Sequence, residues 1–205
     1  MQVFDIHPSH PQDRLIQKAV SIIHDGGVIA YPTDSAYALG CHIGDKQALE
    51  RIRTIRQVDK KHNFTLVVRD LSEISTYAKV DNPTYRILKA CTPGAYTFIL
   101  KGTRDVPKRL LHPKRKTIGL RVPDNLIVQH LLTTLSEPLM SSTLILPEQT
   151  MPLTDADDIC DALSGKVDLV INGGHCGVDP TTVVDFTQEY PEVARYGKGD
   201  ATCFN

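Results

Sequence analysis

The chain has 205 residues, and its 23 basic and 24 acidic side chains leave a formal net charge of −1 at pH 7. This near-neutral charge excludes a uniformly basic nucleic-acid-binding protein. The length suits one α/β domain, or one large and one small domain, and we expect a single domain over residues 1–205. Because no apolar run could span a bilayer and the first residues do not form a signal peptide, we expect a cytoplasmic protein without membrane contact. The five cysteines form no Cys-x-x-Cys pair, so we expect reduced thiols and no metal site.

Apolar residues at helical spacing predict five helices, which lie within residues 11–27, 45–57, 82–91, 125–135 and 155–163. Pro11 opens the first of these helices, and Gly26 and Gly27 are expected to close it in a left-handed cap. Short apolar runs predict strands at 28–31, 64–69, 96–101, 117–122, 138–146, 167–171, 181–187 and 192–197.

The order of these elements indicates the fold class. Helices and strands interleave, which is typical of an α/β sheet covered by helices. The strands at 96–101 and 117–122, and the closing pair at 181–187 and 192–197, are expected to be antiparallel. The sequence therefore predicts a twisted, mixed parallel and antiparallel sheet with helices on its faces.

The segment YPTDSAYALG, residues 31–40, places three polar side chains directly after a predicted buried strand. Open α/β sheets bind their ligands at such strand ends, so this loop is a candidate ligand cradle. Similar hydroxyl-bearing strand ends recur along the chain, at Thr33, Ser35, Thr97, Ser141, Ser142, Thr143, Thr181 and Thr182. Their convergence would suit a phosphate or an amino-acid head group, whereas ordinary turn chemistry and strand propensity explain each of them taken alone.

Basic residues concentrate in one segment of the chain, at Lys101, Arg104, Lys108, Arg109, Lys114, Arg115, Lys116 and Arg121, with only Asp105 opposing them. Such a segment suits phosphate or RNA, and the alternative is a solvated surface loop. No aromatic residue is interleaved to stack bases, so RNA binding through Lys108, Arg109, Lys114, Arg115 and Lys116 would be electrostatic and independent of base sequence.

Several of these motifs together resemble the YrdC family of threonylcarbamoyl-AMP synthases, and its YciO branch most of all. The motifs occur in the family's order as YPTDSAYALGC, CTPGAYTFIL, IGLRVPDN and GGHCGVDPTTVVD. The resemblance extends from about Arg14 to Gly197. It implies a YrdC-like mixed sheet with a concave basic cavity, in which L-threonine, bicarbonate and ATP form threonylcarbamoyl-adenylate and pyrophosphate for the modification of adenosine 37 in tRNA.

The resemblance also implies roles for individual residues. The threonine or carbamate end would be formed by Thr33, Ser35, His62, Arg121, Ser141, Thr143 and Thr181. ATP or AMP would be bound by Arg56, Thr97, Thr182 and Arg195, and Mg²⁺ would arrive with the nucleotide. For His62, a role in capping the following strand is an equal alternative. Double-stranded RNA is a further implied partner, since members of the family have been linked to it.

Two positions depart from the synthase pattern. Thr54 stands where the synthases have the Lys of a Lys-x-Arg pair, and Ile145 stands where they have the Asn of a Ser-x-Asn pair. Arg53 shares a helix face with Arg56 at a spacing of three, so these two residues are expected to bind phosphate together in an altered geometry. Two hypotheses follow, namely a weak threonylcarbamoyl-AMP synthase and a nucleotide- or RNA-binding protein without efficient synthesis.

Overall fold

Six α-helices and ten β-strands form within residues 1–59 and 62–204, the part of the chain that the computed structural model describes. The helices are α1 (Asp13–His24), α2 (Lys46–Arg56), α3 (Leu71–Tyr77), α4 (Asn82–Cys91), α5 (Leu126–Leu135) and α6 (Ala156–Leu163). The strands are β1 (Gln2–Asp5), β2 (Ile29–Tyr31), β3 (Ala38–His42), β4 (Thr65–Val67), β5 (Tyr96–Lys101), β6 (Thr117–Arg121), β7 (Leu139–Thr143), β8 (Leu169–Asn172), β9 (Thr182–Asp185) and β10 (Glu192–Arg195). None of the described helices is long and apolar enough to cross a membrane.

All ten strands belong to one sheet, in the order β1-β8-β2-β3-β7-β4-β6-β5-β9-β10. The pairs β1/β8, β2/β8, β4/β6 and β5/β9 are parallel, and the other five pairs are antiparallel. The predicted mixed sheet is confirmed. The two strand pairs that were expected to be antiparallel, β5/β6 and β9/β10, have that orientation.

The ends of the helices follow the capping chemistry of the sequence. After α1, Gly26 adopts φ +84°, and its N–H donates to the Ile23 carbonyl at 3.1 Å while the Gly27 N–H donates to the Ile22 carbonyl at 2.8 Å. This pair of bonds is a Schellman cap, which confirms the predicted left-handed ending. At the start of α2, the Asp45 carboxylate accepts from the backbone N–H groups of positions 47 and 48.

Three elements were not predicted from the sequence, namely β1, β3 and α3. Strand β1 is an edge strand of four residues with only Phe4 buried, so it lacks an apolar run. Strand β3 contains Gly40 and small side chains, which do not favour strand formation by themselves. Helix α3 is seven residues long and mostly polar, with one buried residue, Ile74. Tertiary contacts, and not local periodicity, produce these elements.

Helices cover the two faces of the sheet unequally. On one face, α2, α3, α4 and α6 pack against strand residues such as Leu39, Leu66, Phe98 and Leu120 in the larger apolar core. On the opposite face, α1 and α5 pack mainly against β1, β8 and β2, with Val67 and Leu139 at the boundary. The second face is therefore open from β7 to β9, and this open half forms a concavity.

Gly40 allows a close approach between β3 and the side chains around it. A Cβ atom at this position would lie 2.7 Å from Leu139 Cδ2 and 2.8 Å from Tyr31 Cε1. We expect Gly40→Ala to lower the free energy of unfolding by about 1–3 kcal/mol, measured by urea denaturation, because the buried neighbours have no space to move.

The matched control for this variant is Gly119→Ala, on the same face of the sheet. A Cβ atom at Gly119 would meet Thr65 Oγ1 at 3.2 Å and Thr97 Cγ2 at 3.3 Å, beside open space. We expect the control to cost clearly less than Gly40→Ala, and equal losses for the two variants would contradict the packing argument.

Candidate functional site

The open half of the sheet encloses a cavity of about 520 Å³. Its floor consists of every second residue of neighbouring strands, at Thr65, Val67, Thr97, Ile99, Thr117, Gly119, Arg121, Ser141, Thr143 and Val183. The strand register brings these positions side by side, since Thr65 lies between Gly119 and Ser141, and Thr97 pairs with Val183. Hydroxyl groups and small side chains thus face the cavity, while the alternate apolar residues face the helices.

Loops and strand ends form the walls of the cavity. One wall comes from residues 62–64 and from Arg56 at the end of α2. The opposite wall comes from residues 110–115, from Pro180 and Thr181, and from Arg195 at the end of β10. The cavity therefore brings together residues that lie far apart in the sequence.

The side chains that line the cavity carry positive charge and no negative charge. Four arginines and two histidines line it, at Arg56, Arg115, Arg121, Arg195, His62 and His112, whereas none of the described lining residues is Asp or Glu. Two of the arginines are paired behind the cavity wall, Arg121 with Asp34 and Arg115 with Asp185 at 3.4 Å. Within the described part of the chain, Arg56 and Arg195 form no ion pair with a carboxylate. The cavity is therefore suited to an anionic ligand.

Arg56 and Arg195 are held by uncharged oxygen atoms. The Arg56 Nε donates to the Ile145 carbonyl at 3.1 Å, and one of its terminal nitrogens donates to Ser142 Oγ. Arg195 donates to the Thr181 carbonyl at 2.9 and 3.2 Å. Partial burial lowers the pKa of both guanidinium groups, because desolvation penalises the charged form. Both groups remain charged at neutral pH, so an anion placed between them would compensate charge that the protein itself leaves uncompensated.

The loop after β2 fixes Arg121 from behind. One terminal nitrogen of Arg121 donates to the Asp34 carboxylate, to Ser35 Oγ at 3.0 Å and to Thr33 Oγ1 at 3.2 Å. The Thr33 hydroxyl also donates to the Ala36 carbonyl at 2.6 Å, and the other Asp34 oxygen accepts from the Asp124 N–H. Thr33 and Ser35 are buried and do not line the cavity. The polar loop therefore acts on the cavity through Arg121.

His62 lies beside Arg56 in the wall of the cavity. Its Nε2 is 3.2 Å from Ser142 Oγ and 3.5 Å from a terminal nitrogen of Arg56. Burial lowers the pKa of His62 below its ordinary value of 6.5, and the charge of Arg56 lowers it further. His62 is therefore neutral at pH 7.

Most of the side chains that were predicted to bind ligands line this one cavity. These are His62, Arg121, Ser141, Thr143 and Thr181 from the predicted threonine end, and Arg56, Thr97 and Arg195 from the predicted nucleotide end. The Thr97 and Thr181 hydroxyls are 2.8 Å apart, across the parallel pair β5/β9. The expected convergence of hydroxyl groups and arginines at one region of the sheet is thus present in the structure.

Arg53 and Thr182 do not line the cavity. Arg53 pairs with Glu50 on the same helix, and its guanidinium lies 5.3 Å from the centre of the Phe64 ring. Thr182 is fully buried, and its hydroxyl donates to the Gly199 carbonyl at 2.6 Å. Arg53 contributes to the packing of α2, and Thr182 anchors the C-terminal segment. Neither side chain points into the cavity.

The two positions that depart from the synthase pattern lie in different environments. Ile145 lines the cavity and presents an apolar side chain to it. Thr54 is exposed and its hydroxyl donates to the Glu50 carbonyl at 2.9 Å. Positions 54 and 56 are separated by about 200° around a helix, so Thr54 points away from Arg56 and the cavity. The predicted pair of Arg53 and Arg56 does not form, although the two positions share a helix face, because Arg53 pairs with Glu50 and lies over the Phe64 ring.

The basic segment is not one uniform surface. Lys108, Lys114 and Lys116 are exposed. Arg109 donates to the carbonyls of Ile43 and Gly44, which attaches the segment to the loop before α2. Arg115 lines the cavity and is paired with Asp185. The five residues that were predicted to bind RNA therefore divide into a surface group of three lysines and two arginines with structural contacts.

His112 was missed by the sequence analysis, although it lines the cavity. Its Nδ1 accepts from the backbone N–H groups of Lys114 at 3.3 Å and Arg115 at 3.1 Å. Because Nδ1 is an acceptor, the proton of the neutral ring resides on Nε2, which is then available as a donor. A histidine followed two residues later by basic residues in a turn is the only sequence signal for this role, and it is a weak one.

Comparison with known proteins shows which family the chain matches. Residues 21–197 match the Sua5/YciO/YrdC domain family, which is described as "Telomere recombination". The chain is 57% identical over 203 residues to YciO, an uncharacterized protein of Escherichia coli (strain K12), covering 99% of this chain and 98% of YciO. The crystal structure of E. coli YciO has a TM-score of 0.96 to this structure and covers 100% of this chain and 99% of that one.

More distant relatives include proteins with named activities or ligands. The threonylcarbamoyl-AMP synthase of Vibrio vulnificus (strain YJ016) is 28% identical over 161 residues, which cover 77% of this chain and 86% of that enzyme. Pyrococcus abyssi Sua5, solved in complex with L-threonine, has a TM-score of 0.87 at 22% identity, covering 96% of this chain and 58% of that one. This second likeness shows a shared fold.

The lowered pKa of His62 makes the stability of the protein depend on pH. The unfolded chain binds a proton on His62 at about pH 6.5, whereas the folded chain binds it only at lower pH. The unfolded state therefore holds more protons in this window, and the free energy of unfolding falls as the pH drops below about 6.5. We expect His62→Gln to reduce this loss between about pH 7 and pH 5, measured by urea denaturation at several pH values.

The control is His10→Gln, which alters an exposed histidine in the N-terminal loop and is expected to follow the wild-type curve. Parallel curves for wild type and His62→Gln would contradict the electrostatic description of the cavity wall.

Proposed function

The chain belongs to the Sua5/YciO/YrdC family, and on that premise we propose that its cavity binds ATP together with a small amino acid. The proposed reaction forms threonylcarbamoyl-adenylate and pyrophosphate from L-threonine, bicarbonate and ATP. One observation carries the proposal. Within one cavity, Arg56 and Arg195 have no carboxylate partner among the described residues, and no described acidic side chain lines the walls. Such a cavity favours a ligand with several negative charges.

The proposed chemistry needs positioning and charge neutralisation more than a covalent nucleophile. The amine of threonine attacks bicarbonate and gives a carbamate with loss of water. A carbamate oxygen then attacks the α-phosphorus of ATP, the bond to the bridging oxygen breaks, and pyrophosphate leaves. Arg56 and Arg195 would neutralise the charge that develops on the phosphates. The 28% identity to a threonylcarbamoyl-AMP synthase supports this assignment.

The lining of the cavity bears on how Mg²⁺ would enter in the proposed reaction. Asp34 and Asp185 are paired with the lining residues Arg121 and Arg115. The described lining residues thus offer no carboxylate cage, and Mg²⁺ is expected to enter bound to the phosphates with its remaining waters.

The proposed enzyme would be slower than the synthases it resembles. The Ile145 side chain has no polar atom to offer a nucleotide, and both Thr54 and Arg53 lie outside the cavity. Each missing charged hydrogen bond costs about 1.5–3 kcal/mol. If two such bonds act only in the transition state, turnover falls by very roughly 10²–10⁴-fold.

Pyrophosphate release tests the proposal. We expect release from ATP that requires both L-threonine and bicarbonate, and that increases in Ile145→Asn, which restores a polar group to the cavity. Arg56→Ala and Arg195→Ala are expected to weaken ATP binding by about 10- to 150-fold, measured by calorimetry, because each removes a charged hydrogen bond.

Arg51→Ala is the matched control, because Arg51 lies on the outer face of α2 and pairs with Asp168. It is expected to leave both ATP binding and pyrophosphate release unchanged. If wild type and Ile145→Asn bind ATP but release no pyrophosphate in response to threonine and bicarbonate, a nucleotide-binding function without synthesis replaces the proposal.

Double-stranded RNA binding is a second candidate function, favoured by the exposed lysines at 108, 114 and 116. In the described structure these three form no ion pair with a carboxylate, so they are available to phosphates. The same surface would suit a tRNA helix. We expect the affinity for a double-stranded RNA to fall steeply with salt, and the slope of log affinity against log salt concentration to decrease by about 2.7 in the triple Lys→Gln variant.

The comparison probe is a single-stranded RNA of equal length. An affinity that hardly changes between low and high salt, or that is specific for one single-stranded sequence, would contradict this second function.

A further inference from the structure

Tyr31 is a buried tyrosine of β2. Its ring crosses over β3, and its hydroxyl reaches Ser141 of β7 on the cavity floor. Its side chain is fully buried, and its hydroxyl oxygen lies 2.6 Å from Ser141 Oγ. Gly40, on the intervening strand, leaves the space that the ring requires, because a Cβ atom there would lie 2.8 Å from Tyr31 Cε1. Ser141 lines the cavity, so the contact joins the core to the ligand space.

The hydrogen bonds of Tyr31 and Ser141 determine whether Ser141 can donate to a ligand or only accept from it. Ser141 Oγ donates its single proton to the Leu39 carbonyl at 3.2 Å. Tyr31 must then donate to Ser141, since otherwise its own proton would be buried without an acceptor. Burial raises the pKa of Tyr31 to about 12, so the phenol keeps this proton at neutral pH. Ser141 is left with one lone pair and no proton for a ligand.

We propose that Tyr31 is a positioning residue that makes Ser141 an obligate hydrogen-bond acceptor, and that this acceptor selects a ligand bearing an N–H group, namely the α-amino group of an amino acid. A ligand that presents a carbonyl oxygen at the same point would face the Ser141 lone pair and would be rejected. The specificity therefore comes from a buried hydroxyl that never touches the ligand.

Arg121 lies close to Tyr31 and Ser141, and its presence indicates that the N–H group of the ligand belongs to an amino acid. Arg121 is near enough to the Tyr31 phenol to influence its pKa. It lines the cavity, and the loop after β2 holds one of its terminal nitrogens, which fixes the guanidinium group at the edge of the ligand space. A guanidinium group presented in this way suits a carboxylate. Arg121 would donate to a carboxylate, and Ser141 beside it would accept from an N–H group. These two groups together match an α-amino acid. The inference rests on the proposed function and specifies its amino-acid site.

A matched pair of ligands tests the inference. L-2-aminobutanoate and 2-oxobutanoate have the same carbon skeleton and carboxylate, and the second carbon bears an ammonium group in the first and a carbonyl oxygen in the second. We expect wild type to bind the amino acid more tightly, as measured by calorimetry or ligand-observed NMR. In Tyr31→Phe the Ser141 hydroxyl can rotate and donate to a carbonyl, so the ratio of the two affinities is expected to fall by about 3- to 10-fold.

Tyr37→Phe is the matched control. Tyr37 is equally buried and donates its hydroxyl to the Gly174 carbonyl at 2.8 Å, and Gly174 does not line the cavity. The same chemical change is thus made in a similar environment without altering Ser141. The affinity ratio is expected to remain at the wild-type value in this variant.

A double-mutant cycle separates positioning from a general structural effect. Ser141→Ala is expected to lower the affinity ratio by itself, and adding Tyr31→Phe to it is expected to change the ratio no further, because Tyr31 acts only through Ser141. An unchanged ratio in Tyr31→Phe, equal effects of Tyr31→Phe with and without Ser141, or no binding of either ligand to wild type would each overturn the inference.

Pyrophosphate release by the same preparations distinguishes this inference from the proposed function. A coupled affinity ratio without threonine- and bicarbonate-dependent release would overturn the synthase proposal alone. If pyrophosphate release does require threonine and bicarbonate, but the effects of Tyr31→Phe and Ser141→Ala on the affinity ratio are additive, the role of Tyr31 alone is overturned.

Discussion

The alternation of side chains along the central strands is the constraint on which the cavity depends. In β4, β5 and β6, residues such as Leu66, Phe98 and Leu120 face the larger core, and their neighbours in sequence face the cavity. A shift of one residue in register would exchange these two sets, placing leucines in the ligand space and threonines under the helices. The apolar core therefore fixes the register, and the register places the hydroxyl groups and Arg121 on the open face.

The electrostatics of the cavity follow from which arginines have partners. Arg121 is almost fully buried and is compensated by Asp34, as a charge in that position requires. Arg56 and Arg195 are closer to solvent, and uncharged oxygens hold them in place. A bound anion would displace water from these two groups and gain from the low dielectric constant of the cavity. The protein thus balances the charge that is buried permanently and leaves the charge near the opening for a ligand.

Local sequence patterns predict the helices and strands that have a strong periodic signal. They fail where contacts between residues far apart in sequence determine the orientation of a side chain. Helix α4 and strand β5 have the predicted bounds. In contrast, the orientation of Thr182 is set by Gly199 in the C-terminal segment, and that of Arg53 by the Phe64 ring. Helical geometry alone does place Thr54 away from Arg56, yet motif spacing treats the two positions as one site. Contacts between residues far apart in sequence cannot be predicted from spacing.

Of the two departures from the synthase pattern, Ile145 lies in the cavity beside Arg56 and Thr54 lies outside it. Ile145 and Arg56 adjoin each other, because the Ile145 carbonyl accepts from Arg56, and Arg53 and Thr54 belong to the same helix end. The opposite side keeps its polar groups, with Arg121 fixed by Thr33, Asp34 and Ser35 and with Ser141 fixed by Tyr31. Under the proposed function, with the phosphates against Arg56, the apolar Ile145 would weaken the contacts to the nucleotide and leave those to the amino acid in place. Loss of phosphate contacts slows transfer without removing recognition, so a protein altered in this way would select its amino acid as a synthase does while forming the adenylate more slowly.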